Sequence, residues 1–284
     1  MIIQSPKFLS NFFIFVVYIW RKVSNFVPYL QSSVFVMQNN AYICKNIATM
    51  ERKKIVVFTG AGVSADSGIA TFRDADGLWA NYRVEDVCTP EALRKNRSTV
   101  IEFYNMRRRE SLTKKPNAGH IAIAEMEQWA DVQVITQNVD NLHEQAGSTR
   151  VLHLHGELMK LRSESNPDLI YDIKDGWEQK LDARAEDGSL LRPYIVFFGE
   201  SVPMFEPACK IVEEADILIV VGTSLAVYPA ASLVHYVRDC QVPIYLVDPG
   251  TPDTALIRNP LEHIKERGAV GVPELVKRLR DELA

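Results

Sequence analysis

The chain is 284 residues long, 47% hydrophobic and 24% charged, which excludes a disordered polypeptide and suits one large domain or a large domain with a smaller one. A formal net charge of −4 lacks the basic excess of a nucleic-acid binder, so no specific nucleic acid is expected as a partner. The four cysteines, Cys44, Cys88, Cys209 and Cys240, are far apart and form no C-x-x-C pair, so neither a disulfide framework nor a four-thiolate zinc site is legible, and a reducing cytoplasm is the simplest location.

Residues 1–49 differ from the rest. Their apolar, aromatic stretch at 12–20 is about half the length that spans a bilayer, and no small-residue cleavage site follows it. A weak membrane anchor, an uncleaved targeting segment and an extension created by too early a start codon all fit; the abrupt change of composition at Met50 favours the last. Residues 50–284 are then the folded domain. Its first strand, 55–59, runs straight into the glycine-rich stretch GAGVSADSGIATFRDADG at 60–77. Gly60 and Gly62 lack the Cβ that would hold backbone N–H groups away from an anion, and Ser64 and Thr71 offer hydroxyl donors. Glycine pairs also punctuate ordinary turns, and the sixth position of the dinucleotide fingerprint is Ala65, so the run alone leaves both readings open.

Helical patterns follow at 100–112 and 119–129, then strands at 132–136 and 151–154. From 158 to 193 the periodicity fails, and this polar stretch reads as an inserted small lobe. Strands at 217–221 and 244–247 and helices at 229–238 and 273–283 complete the chain. Short apolar runs alternating with helices predict an α/β domain with a mostly parallel sheet. Polar residues gather where these strands end, the edge at which open α/β sheets bind ligands. Gln137, Asn138 and Asp140 follow the second strand, His153 and His155 close the third, and Gly222, Thr223 and Ser224 follow the fourth. Singly these are turn residues and structural histidines; together they would place amides, a carboxylate, an imidazole and a phosphate cradle in one crevice.

With these residues in view, the chain resembles the sirtuin family, the NAD-dependent protein-lysine deacylases, over nearly all of 53–283. The resemblance rests on GAGVSADSGIATFR, TQNVDNLH, LHGEL, VFFGE and GTSLAVYP, in family order and at family-like spacing. It implies a Rossmann-like, mostly parallel sheet with helices on both faces, a smaller lobe, and a cleft where NAD, consumed as co-substrate, meets an acyl-lysine protein. Gly60, Ala61, Gly62 and Ser64 would then serve the NAD phosphates and nearby pocket, with Ile69, Phe72 and Arg73 on the cofactor loop. Gln137, Asn138 and Asp140 would line the ribose and nicotinamide pocket. Gly222, Thr223 and Ser224 would take the other phosphate region, and Asp248 a ribose, although the family often has asparagine there.

The mechanism so implied has the acyl oxygen attack C1′ of the nicotinamide ribose and release nicotinamide, with Asn138 in the catalytic pocket. His155, as general base, takes a proton from the ribose hydroxyls, for which an imidazole is suited by a pKa near working pH. His153, two residues earlier, would face away and be structural. Tyr104 and Arg107 share a helical face and resemble the tyrosine–arginine pair of class III sirtuins, where phenol and guanidinium meet a distal carboxylate. With the small Ala75, this implies removal of succinyl and malonyl groups, with deacetylation also open. Val196, Phe198 and Gly199 match the segment along which the family's peptide substrates lie as an added strand. One departure is large: the family's lobe carries zinc on four cysteines, and no cysteine stands between His155 and Phe198, so no zinc is expected. The rival readings are mono-ADP-ribosyl transfer, a non-catalytic NAD or ADP-ribose sensor, and an ordinary NAD dehydrogenase.

Overall fold

The computed structural model describes residues 52–70 and 82–283. The expectations for residues 1–49 and for Thr71, Phe72, Arg73 and Ala75 lie outside the described residues. The main sheet contains β1 (Lys54–Thr59), β2 (Asp131–Thr136), β3 (Val151–His153), β7 (Ile217–Val221), β8 (Ile244–Val247) and β9 (Leu261–Ile264), in the spatial order β3-β2-β1-β7-β8-β9. All of its pairings are parallel. β1 and β7 are buried on both faces, and alternation along each strand sends successive side chains into opposite cores. Val56 and Phe58 join Leu218 and Val220 on one side, whereas Ile55 and Val57 join Ile217 and Ile219 on the other.

Helices cover both faces. α1 (Gly62–Ala65), α2 (Val84–Val87) and α3 (Pro90–Lys95) are short, and α4 (Arg97–Ser111) and α5 (Ala118–Met126) follow. α5 is started by a capping box in which the Asn117 side chain accepts from Gly119 N–H and the His120 imidazole accepts from Asn117 N–H. α6 (Leu142–Ala146), α7 (Phe205–Glu213) and α8 (Gly268–Leu283) complete the set. Val63, Ile123, Met126, Val272, Leu275 and Leu279 form one core under α5 and α8, and Ala208, Cys209 and Val212 carry α7 onto the other face.

Some elements differ from the sequence pattern. The expected helix at 229–238 is a 3₁₀ helix, Ala230–His235, in which the N–H and hydroxyl of Ser232 both donate to the carbonyl of Pro229. α8 starts before Pro273, which lies inside it. β9 carries the pattern of an exposed edge, with no residue fully buried, and so had no apolar run to read.

A second, antiparallel sheet has the order β5-β4-β6, from β4 (Gly156–Ser163), β5 (Ile170–Asp172) and β6 (Leu191–Ile195). Its small core is Leu161, Ala185 and Leu191 with Tyr171, Ile173 and Ala183. The apolar side chains of Ile170 and Leu181 are exposed. At the end of β4 the buried Ser163 hydroxyl donates to Asp187 Oδ2 at 2.6 Å and lies 2.7 Å from Ser189 Oγ. The same oxygen accepts from the N–H groups of Ser165 and Asn166.

Candidate functional site

Strand order reverses direction at β1, whose neighbours are β2 and β7, and the loops leaving the C-terminal ends of β1, β2, β7 and β8 open onto one cleft of about 800 Å³. Its floor is backbone against backbone. Gly60 N–H donates to Val221 O at 2.9 Å and Gly62 N–H to Gly222 O at 2.8 Å. A Cβ on Gly60 would stand 2.7 Å from Gly222 O, and one on Gly222, whose φ is +61°, would stand 2.3 Å from Val63 N. The physical reason for these glycines is therefore close approach of two loops: the N–H groups of Gly60 and Gly62 are committed to the protein, not held free for an anion.

Above that floor sits a continuous polar network. Gln137 Nε2 donates to Thr223 Oγ1 at 3.0 Å, tying the loop after β2 to the loop after β7. Asn138 Nδ2 donates to Gly60 O and to Ser64 Oγ, each at 3.1 Å, so both amide protons are used and Oδ1 is the side-chain atom left with acceptor capacity. Ser64 donates in turn to Asp140 Oδ2 at 3.2 Å, while Asp140 Oδ1 accepts from Leu142 N–H. Burial raises the Asp140 carboxyl above the usual range, opposed by the Leu142 and Ser64 hydrogen bonds and by the charges of His153 and Arg107. Ala61, Ile69, Ser224 and Asp248 complete the lining on this side, with Asp248 Oδ1 accepting from Gly250 N–H at 2.8 Å.

The histidines divide by their partners. His155 follows β3 in a turn and lines the cleft, with Nδ1 2.9 Å from Gln137 O. A carbonyl oxygen only accepts, so Nδ1 carries the proton and the neutral ring has its lone pair on Nε2. Burial lowers its pKa, against the opposing pull of the Gln137 bond, and holds the ring neutral at pH 7. His153 bonds through both nitrogens, to Asn138 O and to Glu144 Oε1, each at 2.8 Å. Both acceptors require an N–H, and although burial opposes the charge, the Glu144 bond and charge prevail and raise the His153 pKa. It is an imidazolium that fastens the loop carrying Asn138 and Asp140 to α6.

Beneath Ser64 lie two further buried imidazoles, His120 and His143, with ring centroids 4.8 Å apart. His143 Nε2 is 3.0 Å from Thr59 Oγ1. Burial pushes His120 down to about 4 and His143 well below the ordinary value. Sequence pattern did not single them out, because a histidine inside a helix carries no signal of burial.

The opposite wall comes from α4 and the turn after β6. Tyr104 and Arg107 both line the cleft, one helical turn apart. The Tyr104 ring is buried and stacks on Phe197 at 5.8 Å between centroids. The charge of Arg107 reaches Tyr104, Cys88 and Asp140, lowering the pKa of each against their burial. Val196, Phe198 and Gly199 also line the cleft, but residues 196–200 form a turn, not a strand. Val196 N–H donates to His155 O, Phe198 N–H to Cys88 O, and Phe197 N–H to Glu200 Oε2. Arg192 holds this turn, pairing its guanidinium with Glu200 at 2.6 and 3.0 Å while lying 4.0 Å over the Phe197 ring.

Parallel strands with a crevice at their switch point, lined by a neutral imidazole and a buried carboxylate–amide pocket, define a doubly wound α/β fold with a cleft suited to a ligand. The chain belongs to the Sir2 family: the Sir2 family model matches residues 60–229. It is 53% identical over 229 residues to an NAD-dependent protein deacylase of Bacteroides thetaiotaomicron, covering 78% of this chain and 96% of that one. A Sir2 homologue mutant in complex with ADP-ribose superposes with a TM-score of 0.72 at 39% identity, covering 85% of this chain and 97% of that one. A Sir2 homologue in complex with NAD gives 0.73 at 38% identity, covering 86% and 95%. Among the described residues no helix is long and apolar enough to cross a membrane, and no group of His, Cys, Asp and Glu side chains is arranged to hold a metal ion.

Proposed function

We propose that this protein is an NAD-dependent protein-lysine deacylase that removes succinyl and malonyl groups, and acetyl groups alongside them, from acyl-lysine proteins. The observation that carries the reading is His155: its Nδ1–H is spent on Gln137 O, and the neutral ring faces the cleft. A cleft of about 800 Å³ is within the roughly 300–1,000 Å³ of ligand pockets. Its donor set fits NAD: the Asp140 carboxylate suits a carboxamide NH₂, Asn138 Oδ1 a ribose hydroxyl, and Thr223 and Ser224 a phosphate. Gly60, Ala61, Gly62, Ser64, Ile69, Gln137, Gly222 and Asp248 are the further contacts expected for the cofactor, with Phe72 and Arg73.

Bound NAD supplies the electrophilic ribose carbon and, on loss of nicotinamide, the ADP-ribose that accepts the acyl group. His155 Nε2 takes the proton of a ribose hydroxyl in acyl transfer, and Gln137 O fixes the tautomer that leaves this nitrogen basic. Asp140 orients the carboxamide, held in turn by Ser64 and Leu142 N–H. The wall of α4 selects the acyl group, with Tyr104 and Arg107 taking its distal carboxylate; the small side chain expected at Ala75 is in keeping with a longer acyl chain. Val196, Phe198 and Gly199 border the lysine entry, and the exposed rings of Phe198 and Tyr228, both lining the cleft, provide apolar contact for a peptide. We read the lobe, 158–193, as metal-free, with the Ser163–Asp187–Ser189 cluster closing its tip; its hydroxyls and single carboxylate do not make a thiolate zinc site. Cys88, Cys209 and Cys240 are free thiols, in keeping with a cytoplasmic protein.

The test incubates the protein with NAD and matched acetyl-, malonyl- and succinyl-lysine peptides, following nicotinamide release and peptide mass. Loss of the acyl mass with stoichiometric nicotinamide supports the reading; gain of ADP-ribose on the acceptor establishes transferase activity in its place. Arg107→Met is expected to lower turnover of the succinyl peptide at least tenfold relative to the acetyl peptide, and an equal loss on both removes the acyl assignment.

A further inference from the structure

The wall that carries Tyr104 and Arg107 contains another side chain that can donate a hydrogen bond to Tyr104. Cys88, at the C-terminal end of α2, lines the same cleft, and its Sγ lies 3.2 Å from the Tyr104 hydroxyl, where either atom can donate. Its backbone is tied in as well, since Cys88 O accepts from Phe198 N–H. Burial raises the pKa of both groups, so thiol and phenol are neutral at pH 7 and bring two protons to one contact. Only one proton can lie between sulfur and oxygen. With the cleft empty of substrate, Tyr104 is free to spend its proton on sulfur. When a carboxylate arrives, the phenol must turn its proton to the anion, and its own oxygen then has a donor waiting in the Cys88 S–H. Stacking on Phe197 and edge contact with Phe103 hold the Tyr104 ring, so the exchange requires rotation of two hydroxyl-type hydrogens and no movement of heavy atoms.

We propose that Cys88 is a positioning residue for acyl selection: its thiol donates to Tyr104 Oη when Tyr104 donates to the distal carboxylate of a succinyl- or malonyl-lysine. The inference rests on the reading of Tyr104 and Arg107 as the carboxylate site. A purely apolar residue of similar size at 88 would pack equally well but remove the partner in both states: without a carboxylate the phenol proton loses only a weak sulfur acceptor, whereas with one the phenol oxygen loses the donor that strengthens its bond to the anion, so the larger cost falls on substrates that take the Tyr104 proton.

The experiment measures kcat and KM with NAD at saturation for acetyl- and succinyl-lysine peptides of one sequence, on the wild type, Cys88→Ala, Cys88→Ser, Tyr104→Phe and Arg107→Met, with thermal melts as a folding control. Cys88→Ala is expected to raise the ratio of succinyl KM to acetyl KM about fivefold, the size of one lost buried hydrogen bond, and Cys88→Ser, which keeps a donor, to return it to within twofold of wild type. Should Cys88→Ala shift both KM values alike, or should Cys88→Ser fail to restore the ratio, the thiol is only packing and the proposal falls. Should Tyr104→Phe and Arg107→Met change the ratio while Cys88→Ala does not, the carboxylate site stands and the role of Cys88 is refuted. Should none of the four variants change the ratio, the carboxylate reading fails and takes the proposal with it.

Discussion

Acid should unfold this protein through the histidine pair beneath Ser64. His120 is fully buried, and its Nδ1 accepts from Asn117 N–H, so the folded state needs the ring neutral. Its pKa falls from 6.5 to about 4. A depressed pKa means that the unfolded chain binds the proton first: the stabilisation is complete above pH 6.5 and drains away as pH falls from 6.5 toward 4. The linkage relation gives a loss of about 2 kcal/mol between pH 7 and pH 5 from this group alone. Protonation would also break the capping box at the start of α5. Urea denaturation of the wild type and of His120→Gln, which keeps an acceptor for the Asn117 N–H, measures the effect. The variant should be less stable at pH 7, yet lose about 2 kcal/mol less on going to pH 5. Burial, the larger cause of the His143 depression, is present in both proteins and cancels in the difference; only the smaller part due to the charge of His120 changes with the substitution. Parallel pH profiles for the two proteins would refute the argument, because the proton uptake would then lie elsewhere.

Three other outcomes are expected. His155→Ala should lower kcat/KM by about 10²–10⁴-fold, and in the wild type the acid limb of kcat/KM should fall below pH 6.5, since burial depresses this imidazole; a limb above 6.5 would exclude it as the base. Gly222→Ala must place a Cβ 2.3 Å from Val63 N at a φ of +61°, and should cost about 3 kcal/mol or more, seen as a melting temperature lowered by several degrees; an unchanged melt would mean the two loops can separate cheaply. Elemental analysis should find no stoichiometric zinc, and EDTA should leave the melting temperature unchanged.

The middle of the main sheet was legible because β1 and β7 are apolar runs buried on both faces, and two strands, Ile217–Val221 and Ile244–Val247, have the limits that pattern implied. The small sheet was not, because β4 and β6 interleave charged residues such as Lys160, Arg162 and Arg192 with their apolar ones, and β5 alternates exposed and half-buried residues. The same limit hid β9. At the site, residues announced by turn chemistry after strands, such as Gln137, Asn138, Asp140, Thr223 and Ser224, do share one cleft. What sequence could not reveal is who bonds to whom. That the glycine N–H groups face a neighbouring loop, that 196–200 is a turn, and that Cys88 meets Tyr104 all depend on contacts between distant segments, which leave no local periodicity.

The meeting of Gly60, Gly62 and Gly222 divides the protein into a part that evolution can adjust and a part that it cannot. Where main chain lies directly on main chain, there is no side chain to trim or enlarge, and each position admits a single residue type. Nucleotide recognition is thereby cast once, in the base of the cleft. On the proposed reading, a change of acyl preference would come from side chains on α4, at the end of α2 and in the turn after β6, whose identities can change without disturbing the seam below.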